Sequence, residues 1–210
     1  SKHRLFAYIE RWLHRKTDLI IGNSRAVIQQ LRDEGVSKEK MVLLYNGVDL
    51  EKFTNKNITH THDVFTMIIV ANLFAYKGHV DLLHALAAIK AELPKKWRLL
   101  CVGKDAGMKK QLQALTNRLK LADHIEWLGE RSDVPSLLSC ADMGVLCSHE
   151  EGFSNSILEN MAMGLPMVVT DVGGNAEAVW DGVHGLVVPP KNPTQLAQAI
   201  LTLAHDEKLR

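Results

Sequence analysis

The chain has 210 residues, of which 46% are hydrophobic and 23% charged, and its formal net charge at pH 7 is +1. This length accommodates one sizeable domain plus part of another, and the composition is that of an ordinary globular protein. The near-zero charge and the lack of a Lys/Arg block in the sequence give no electrostatic reason to expect a nucleic-acid partner.

The cysteines and apolar runs predict a cytoplasmic protein. Cys101, Cys140 and Cys147 are an odd set without CxxC spacing, which indicates reduced core residues rather than disulfides or metal ligands. No apolar run approaches the roughly 20 residues that span a bilayer, and the first residues lack a signal-peptide core. A basic amphipathic helix is predicted at the start, suited either to peripheral membrane contact or to docking on a neighbouring domain. Its residues are Arg4, Leu5, Phe6, Ile9, Arg11, Trp12, Leu13, Arg15 and Lys16.

The first 46 residues predict only a small α/β unit. Its elements are the end of a helix at 1–16, a strand at 18–22, a helix from Ser24 to about Glu34 and a strand at 41–45. A unit of this size cannot bury its own core, so we expect residues 1–46 to be the last part of a first domain. The polar stretch 47–63 predicts a linker.

From Val64 to the end of the chain, at residue 210, short apolar runs alternate with helical patterns. The runs are FTMIIVA, WRLLCVG, HIEWLG, DMGVLC, PMVVT and GLVVP, and the helices fall at about 78–92, 107–121, 133–139, 154–163, 174–180 and 193–205. Such alternation predicts a second, Rossmann-like domain with a parallel sheet covered by helices on both faces. Ligands of such sheets bind at the carboxyl ends of the strands.

The segment HEEGFSN joins a predicted strand to a predicted helix and carries the main candidate site. Gly152 lets the backbone approach a ligand closely, and Ser154 or Asn155 can cap the helix. A helix N-terminus at such a turn suits a phosphate. We expect Glu151 and Glu159 to border one cleft, where carboxylates accept hydrogen bonds from hydroxyls. A phosphate flanked by polyols, as in a nucleotide-sugar, satisfies this whole turn.

The spacing Glu151-x7-Glu159, continued by MAMGLP at 161–166 and DVGGNAE at 171–177, closely resembles the donor-binding signature of retaining GT-B glycosyltransferases of family GT4. The resemblance runs from about Thr17 to the end of the chain. It implies that a sugar passes from a nucleoside diphosphate to an acceptor hydroxyl with retained anomeric configuration, in glycan, polysaccharide or glycolipid biosynthesis. It also implies no metal cofactor. A glycan or lipid-linked acceptor would bind through the first domain, so we expect this chain alone to bind donor without transferring sugar.

The resemblance also implies roles for individual residues. The sugar would be held by Glu151 with the amides of Gly152, Phe153 and Ser154, and the ribose by Glu159. Lys77, in the sequence AYKGH, would stabilise the leaving diphosphate together with the helix N-terminus. By residue type alone, a lysine in this position is more often a solvated surface residue, and it is the family resemblance that favours the phosphate role.

The chain departs from the family pattern at Asn72, where relatives carry an arginine on the diphosphate. Asn72 can donate a hydrogen bond but brings no charge, and Arg131 is the only plausible substitute. Arg131 could instead stack on the nucleobase, which the family holds at strand ends such as Gly103. The donor base and sugar are left open by these residues.

Two alternative functions also fit the sequence, and several other residues give weaker indications of a site. A nucleotide-sugar epimerase would share the nucleotide site, and a non-catalytic nucleotide-binding module would explain the missing arginine. The pair His60 and His62 is weak evidence for a metal site. We expect His149 to lie in a solvated loop and Glu177 to be a solvated residue or a rim contact.

Overall fold

The computed structural model of the chain describes residue 9 and residues 12–14, 16–54 and 63–207. The predicted amphipathic helix therefore lies largely outside the described residues, as do His60 and His62 and the rest of segment 55–62 in the predicted linker. Within the described part of the chain, no helix is long and apolar enough to cross a bilayer.

The described elements follow the predicted alternation. The strands are β1 Ile20–Gly22, β2 Met41–Leu43, β3 Phe65–Val70, β4 Trp97–Val102, β5 Ile125–Gly129, β6 Met143–Leu146, β7 Met167–Thr170 and β8 Gly185–Val188. The α-helices are α1 Arg25–Asp33, α2 His79–Ile89, α3 Lys109–Arg118, α4 Val134–Leu138, α5 Asn155–Ala162, α6 Asn175–Ala178 and α7 Pro193–His205. Short 3-10 helices span Lys38–Lys40, Ala75–Lys77 and Ala122–His124.

Strands β3 to β8 form a six-stranded parallel sheet in the order β5-β4-β3-β6-β7-β8. The sheet therefore grows outward in two directions from the neighbouring strands β3 and β6. In open parallel sheets, ligands bind at such a reversal of strand order, outside the carboxyl ends of the strands. The fold itself thus marks the end of β3 and the end of β6 as the place for a site.

The sheet is covered on both faces, which confirms the predicted fold class. Successive side chains of a strand point to opposite faces, and in β3 Met67 and Ile69 join one core cluster while Ile68 joins the other. Helices α2, α3 and α7 supply the first cluster with buried leucines. Leu138 of α4 and Phe53 complete the second. Phe53 is only 5% exposed, so the described part of the predicted linker packs on the sheet.

The N-terminal unit consists of β1 and β2, paired in parallel, with α1 between them. Its strands leave large apolar side chains open to solvent: Ile21 is 58% exposed and Leu44, just after β2, is 60% exposed. That residues 1–46 belong to a separate first domain stays a prediction.

The cysteines depart in one respect from the sequence prediction. Cys101 and Cys147 are buried free thiols, but Cys140 is exposed, so its placement in the core was wrong. It lies in the turn before β6 rather than in the strand itself. Burial raises the pKa of the Cys147 thiol to about 12 and raises that of Cys101 as well, which keeps both protonated.

Candidate functional site

The candidate site lies where β3 and β6 end side by side. Residues 71–78 form the loop after β3, and residues 147–154 form the loop after β6. The two loops are in direct contact. The amide of His149 donates to the carbonyl oxygen of Tyr76 at 2.6 Å. Gly78 has φ of +71°, and a Cβ at this position would collide with the carbonyl oxygen of Cys147. Only glycine allows so close an approach, which brings Lys77 against the second loop.

Lys77 and Glu151, both predicted site residues, form an ion pair with Nζ and Oε1 2.5 Å apart. The hydroxyl of Ser148 donates to the same carboxylate oxygen at 2.7 Å. The side chains of Lys77 and Glu151 are only 17% and 10% exposed. Lys77 is therefore not the solvated lysine that its residue type alone would suggest. Among the described residues, no group donates to the second oxygen of Glu151, which is left to accept a hydrogen bond from a ligand.

A cavity of about 320 Å³ extends from Lys77 to Glu159 and is lined by several predicted site residues. They are Asn72, Lys77, Gly103, Arg131, Ser154 and Glu159. Glu159 is half-buried, and burial raises the pKa of its carboxyl group, although Lys52 acts in the opposite direction. An ionised carboxylate in such a place gains from hydroxyl donors that replace the lost water.

Glu151 lines a different cavity, of about 740 Å³, between α1 and the loop after β6. The two cavities meet at Lys77, which lines the smaller one and pairs with Glu151, so the expectation that both glutamates border one cleft stays a prediction. Tyr76, Gly152 and Gly173 also line the larger cavity. A ligand that spans both cavities would pass Lys77.

The start of α5 differs from the predicted cap. Ser154 occupies the N-cap position with an extended backbone, but its side chain makes no capping hydrogen bond. The Oδ1 atom of Asn155 instead accepts a hydrogen bond of 2.8 Å from the side chain of Asn46. The Ser154 hydroxyl and the first amides of α5 are thus left beside the smaller cavity, an arrangement that suits an anion.

Asn72 and Gly103 meet at the ends of β3 and β4. The Oδ1 atom of Asn72 accepts a hydrogen bond of 2.9 Å from the amide of Lys104. Gly103 has no room for a side chain, because a Cβ would collide with the carbonyl oxygen of Ala71. The Nδ2 group of Asn72 bonds no described residue, so one neutral donor is available where the family resemblance implies a cation.

The guanidinium group of Arg131 forms a bidentate ion pair with Asp133. Its Nε and Nη2 atoms donate to the two oxygens of Asp133 at 2.7 and 2.6 Å. The hydrogen bonds from Arg131 hold the pKa of the Asp133 carboxyl below its usual range. Arg131 must break this ion pair with Asp133 before it can neutralise a diphosphate. Its role as a substitute for the missing arginine therefore stays a prediction.

Two residues that were expected at the surface have partners in the structure, and for His149 the expectation of a solvated loop was wrong. His149 is partly buried, and its Nε2 atom lies 2.6 Å from a carboxylate oxygen of Asp81 on α2. Glu177 is partly exposed and accepts hydrogen bonds from the amides of Arg25 and Ala26, and its role as a rim contact stays a prediction. Neither pairing could be found from local sequence, because each joins residues from distant parts of the chain.

The described residues contain no group of three or more histidine, cysteine or acidic side chains that could hold a metal ion. The charged side chains at the two cavities include Lys77, Arg131, Glu151 and Glu159.

The comparisons with known proteins identify the family. The sequence model of the family described as Glycosyl transferases group 1 matches residues 64–206, which is more than half of the chain. The chain belongs to the group 1 glycosyltransferases. A second family description, Glycosyltransferase Family 4, matches residues 1–52 of this group 1 glycosyltransferase.

Curated relatives of this group 1 glycosyltransferase include an N-acetylgalactosaminyltransferase of Campylobacter jejuni that acts on a diphospho-undecaprenol-linked sugar. It is 31% identical over 202 residues, which cover 94% of this chain and 54% of the relative. N-acetyl-alpha-D-glucosaminyl L-malate synthase of Bacillus anthracis is 27% identical, with 92% of this chain and 52% of the relative covered. The chain thus spans about half the length of the curated relatives it matches.

Solved structures similar to this group 1 glycosyltransferase confirm the GT-B type of fold. Anabaena HepE, in complex with UDP and glucose, superimposes with a TM-score of 0.83 at 28% identity, covering 91% of this chain and 55% of HepE. Sucrose-phosphate synthase of Thermosynechococcus elongatus gives a TM-score of 0.86 at 25% identity, covering 97% of this chain and 53% of the synthase.

Proposed function

We propose that this group 1 glycosyltransferase binds a nucleoside diphosphate sugar at the carboxyl edge of its sheet. The whole enzyme then transfers the sugar to an acceptor hydroxyl with retention of configuration. The observation that carries this proposal is the position of Lys77. It lies between a cavity that contains Glu159 and the start of α5 and a cavity that contains Glu151.

The smaller cavity suits the nucleoside diphosphate. The first amides of α5 and the Ser154 hydroxyl can donate to phosphate oxygens, and the half-buried carboxylate of Glu159 can accept from the ribose hydroxyls. The base would lie towards Gly103 and Arg131. Asn72 would supply a neutral hydrogen bond in the place where relatives carry a positive charge.

The larger cavity suits the sugar. Glu151 has one carboxylate oxygen free of described donors, and the backbone of Gly152 and Phe153 lies beside it. In the transfer step the bond from the anomeric carbon to the diphosphate breaks, and the acceptor oxygen bonds to the same face of that carbon. The acceptor's proton passes to an oxygen of the leaving diphosphate. Lys77 would turn from Glu151 to this oxygen cluster and stabilise its growing charge, without a metal.

Relatives support the chemical class of both substrates. Anabaena HepE has been crystallised with UDP and glucose and with UDP-glucose, which favours a nucleoside diphosphate sugar as donor here. The Campylobacter jejuni relative acts on a lipid-linked acceptor, which favours a glycan or lipid-linked acceptor. Cytoplasmic location and peripheral membrane contact stay predictions from the sequence.

Thermal melting in the presence of ligands tests the donor site. UDP, GDP, ADP and their sugars are each added with EDTA. A ligand at 100 times its dissociation constant contributes about 2.7 kcal/mol, enough to raise the melting temperature by several degrees. If none of these ligands shifts melting even at millimolar concentration, the assignment is wrong.

Product analysis with the full-length enzyme separates the rival functions. A labelled nucleotide-sugar and candidate acceptors are incubated with it, and labelled glycoside is the expected product. Conversion to another nucleotide-sugar would instead indicate an epimerase, and binding without turnover would indicate a nucleotide-binding module. The 210-residue chain is expected to bind donor and yield no glycoside, because near-attack positioning of both reactants, worth about 7 to 11 kcal/mol, needs both walls of the cleft.

A further inference from the structure

We propose that Glu177, together with Tyr45 and Asn46, positions the turn at 152–155 that carries the donor site. These three residues are called the clasp below. Two of them precede the six-stranded sheet in the chain, so the clasp makes donor binding depend on residues outside the sheet. The part of this inference that concerns donor affinity rests on the proposed function, but the clasp itself does not.

Glu177 is the centre of the clasp. One carboxylate oxygen accepts from the amide of Ala26 at 3.1 Å, and the other accepts from the amide of Arg25 at 2.9 Å. The hydroxyl of Tyr45 donates to the latter oxygen at 2.7 Å. Both amides belong to the first turn of α1, where amides have no partner within the helix. Glu177 thus caps a helix about 150 residues away in sequence, and the charge of a carboxylate is favourable at that end of a helix.

Tyr45 and Asn46 extend the clasp to the donor turn. The ring of Tyr45 packs on the ring of Phe153 with centroids 5.1 Å apart. The Nδ2 group of Asn46 donates to the carbonyl oxygen of Phe153 at 3.0 Å and to Oδ1 of Asn155 at 2.8 Å. Phe153 and Asn155 lie on either side of the N-cap of α5, so these contacts fix the start of that helix.

Helix α6, which carries Glu177, holds the donor turn from the other side. The amide of Gly174 donates to the carbonyl oxygen of Gly152 at 2.7 Å. A Cβ at Gly174 would collide with Phe153 and with the side chain of Ser24, a fully buried residue. The turn is therefore enclosed between α6 and the segment at 45–46, and Glu177 joins the two sides through Tyr45.

Hydrogen exchange of the free protein tests the clasp without any ligand. In Glu177→Ala, the amides of Arg25 and Ala26 should exchange about tenfold faster, and so should the amide of Gly174, which donates to the carbonyl oxygen of Gly152 in the donor turn. Glu177→Gln keeps one acceptor oxygen and should show a smaller effect. Glu126→Ala, which removes a surface carboxylate at the opposite edge of the sheet, is the control and should change neither. If only the α1 amides respond, Glu177 is a helix cap and the proposal is wrong.

Affinity for UDP tests the consequence for binding. Loss of one well-made hydrogen bond corresponds to about a fivefold to tenfold change, which is expected in Glu177→Ala. Tyr45→Phe keeps the ring contact with Phe153 and should lose about threefold. Because the hydroxyl and the carboxylate act through one hydrogen bond, the double variant Tyr45→Phe/Glu177→Ala should lose less than the product of the two single losses. Strictly multiplicative losses would show that the two residues act separately and would overturn the clasp.

The two proposals fail in different ways. If wild-type protein binds no nucleotide, the proposed function fails, and hydrogen exchange still decides the clasp. If nucleotide binds with equal affinity to wild type and to Glu177→Ala, the donor site stands and the positioning role of Glu177 is refuted.

Discussion

Replacement of Glu159 by glutamine is the sharpest test of the donor site. The change keeps the shape of the side chain and removes its charge. In the proposed complex the carboxylate accepts hydrogen bonds from ribose hydroxyls, and such a charged hydrogen bond contributes about 1.5 to 3 kcal/mol. Glu159→Gln should therefore weaken the binding of UDP roughly tenfold to a hundredfold, as measured by titration calorimetry.

Glu159→Gln is expected to weaken UDP binding but not to lower the thermal stability of the free protein. Burial raises the pKa of Glu159 above its ordinary value of 4.5, which means that the folded state favours the protonated form. Ionisation of Glu159 therefore costs stability as the pH rises through this raised pKa, and the cost is absent in acid, below the ordinary pKa. At neutral pH Glu159→Gln should melt at the same temperature as the wild type or higher, and in acid it should show no gain.

The matched control is Glu126→Gln, a surface glutamate whose only described ion pair is a 3.4 Å contact with Arg98 at the far edge of the sheet. It should alter neither UDP affinity nor the pH dependence of melting. If Glu159→Gln binds UDP within twofold of the wild type, Glu159 does not hold the ribose. If it melts well below the wild type at neutral pH, the argument from burial is wrong.

Two further substitutions test the stability of the site. Lys77→Met leaves the nearly buried carboxylate of Glu151 without its cation and should cost about 1 to 3 kcal/mol in urea unfolding. Adding Glu151→Gln should recover part of that loss, and a single variant as stable as the wild type would show that the ion pair contributes nothing. Gly78→Ala should cost more than about 2 kcal/mol, because its Cβ meets backbone at a positive φ, whereas Gly35→Ala meets open space and should cost about 1 kcal/mol. Equal losses at the two glycines would contradict the close approach of the two loops.

The arrangement of strands and helices could be predicted because it depends on local patterns. The apolar run FTMIIVA predicted a buried strand, and β3 spans Phe65–Val70. Element ends were less predictable. The helix predicted at 107–121 ends at Arg118, because Lys120 adopts a φ of +57°. A left-handed lysine has no signature in the sequence, unlike the glycine that usually occupies such a position.

The candidate site could be predicted in part for the same reason. The strands of a parallel sheet present their carboxyl ends at one edge, so Lys77 was expected at the same edge as Gly152, and it pairs with the preceding residue, Glu151. The partners of Glu177 and His149 could not be predicted. Glu177 contacts Arg25 across 152 positions, and such a contact depends on how whole elements dock rather than on any periodicity.

The ion pair between Lys77 and Glu151 has a consequence for turnover under the proposed function. A bare nucleoside diphosphate must take Lys77 from Glu151 and offers the carboxylate nothing in return. A nucleotide-sugar takes Lys77 and supplies sugar hydroxyls to Glu151 in the same event. Breaking the Lys77–Glu151 ion pair therefore costs less when the nucleotide-sugar binds than when the nucleoside diphosphate product binds. Once the sugar has left, Glu151 competes again for the lysine and helps to expel the product.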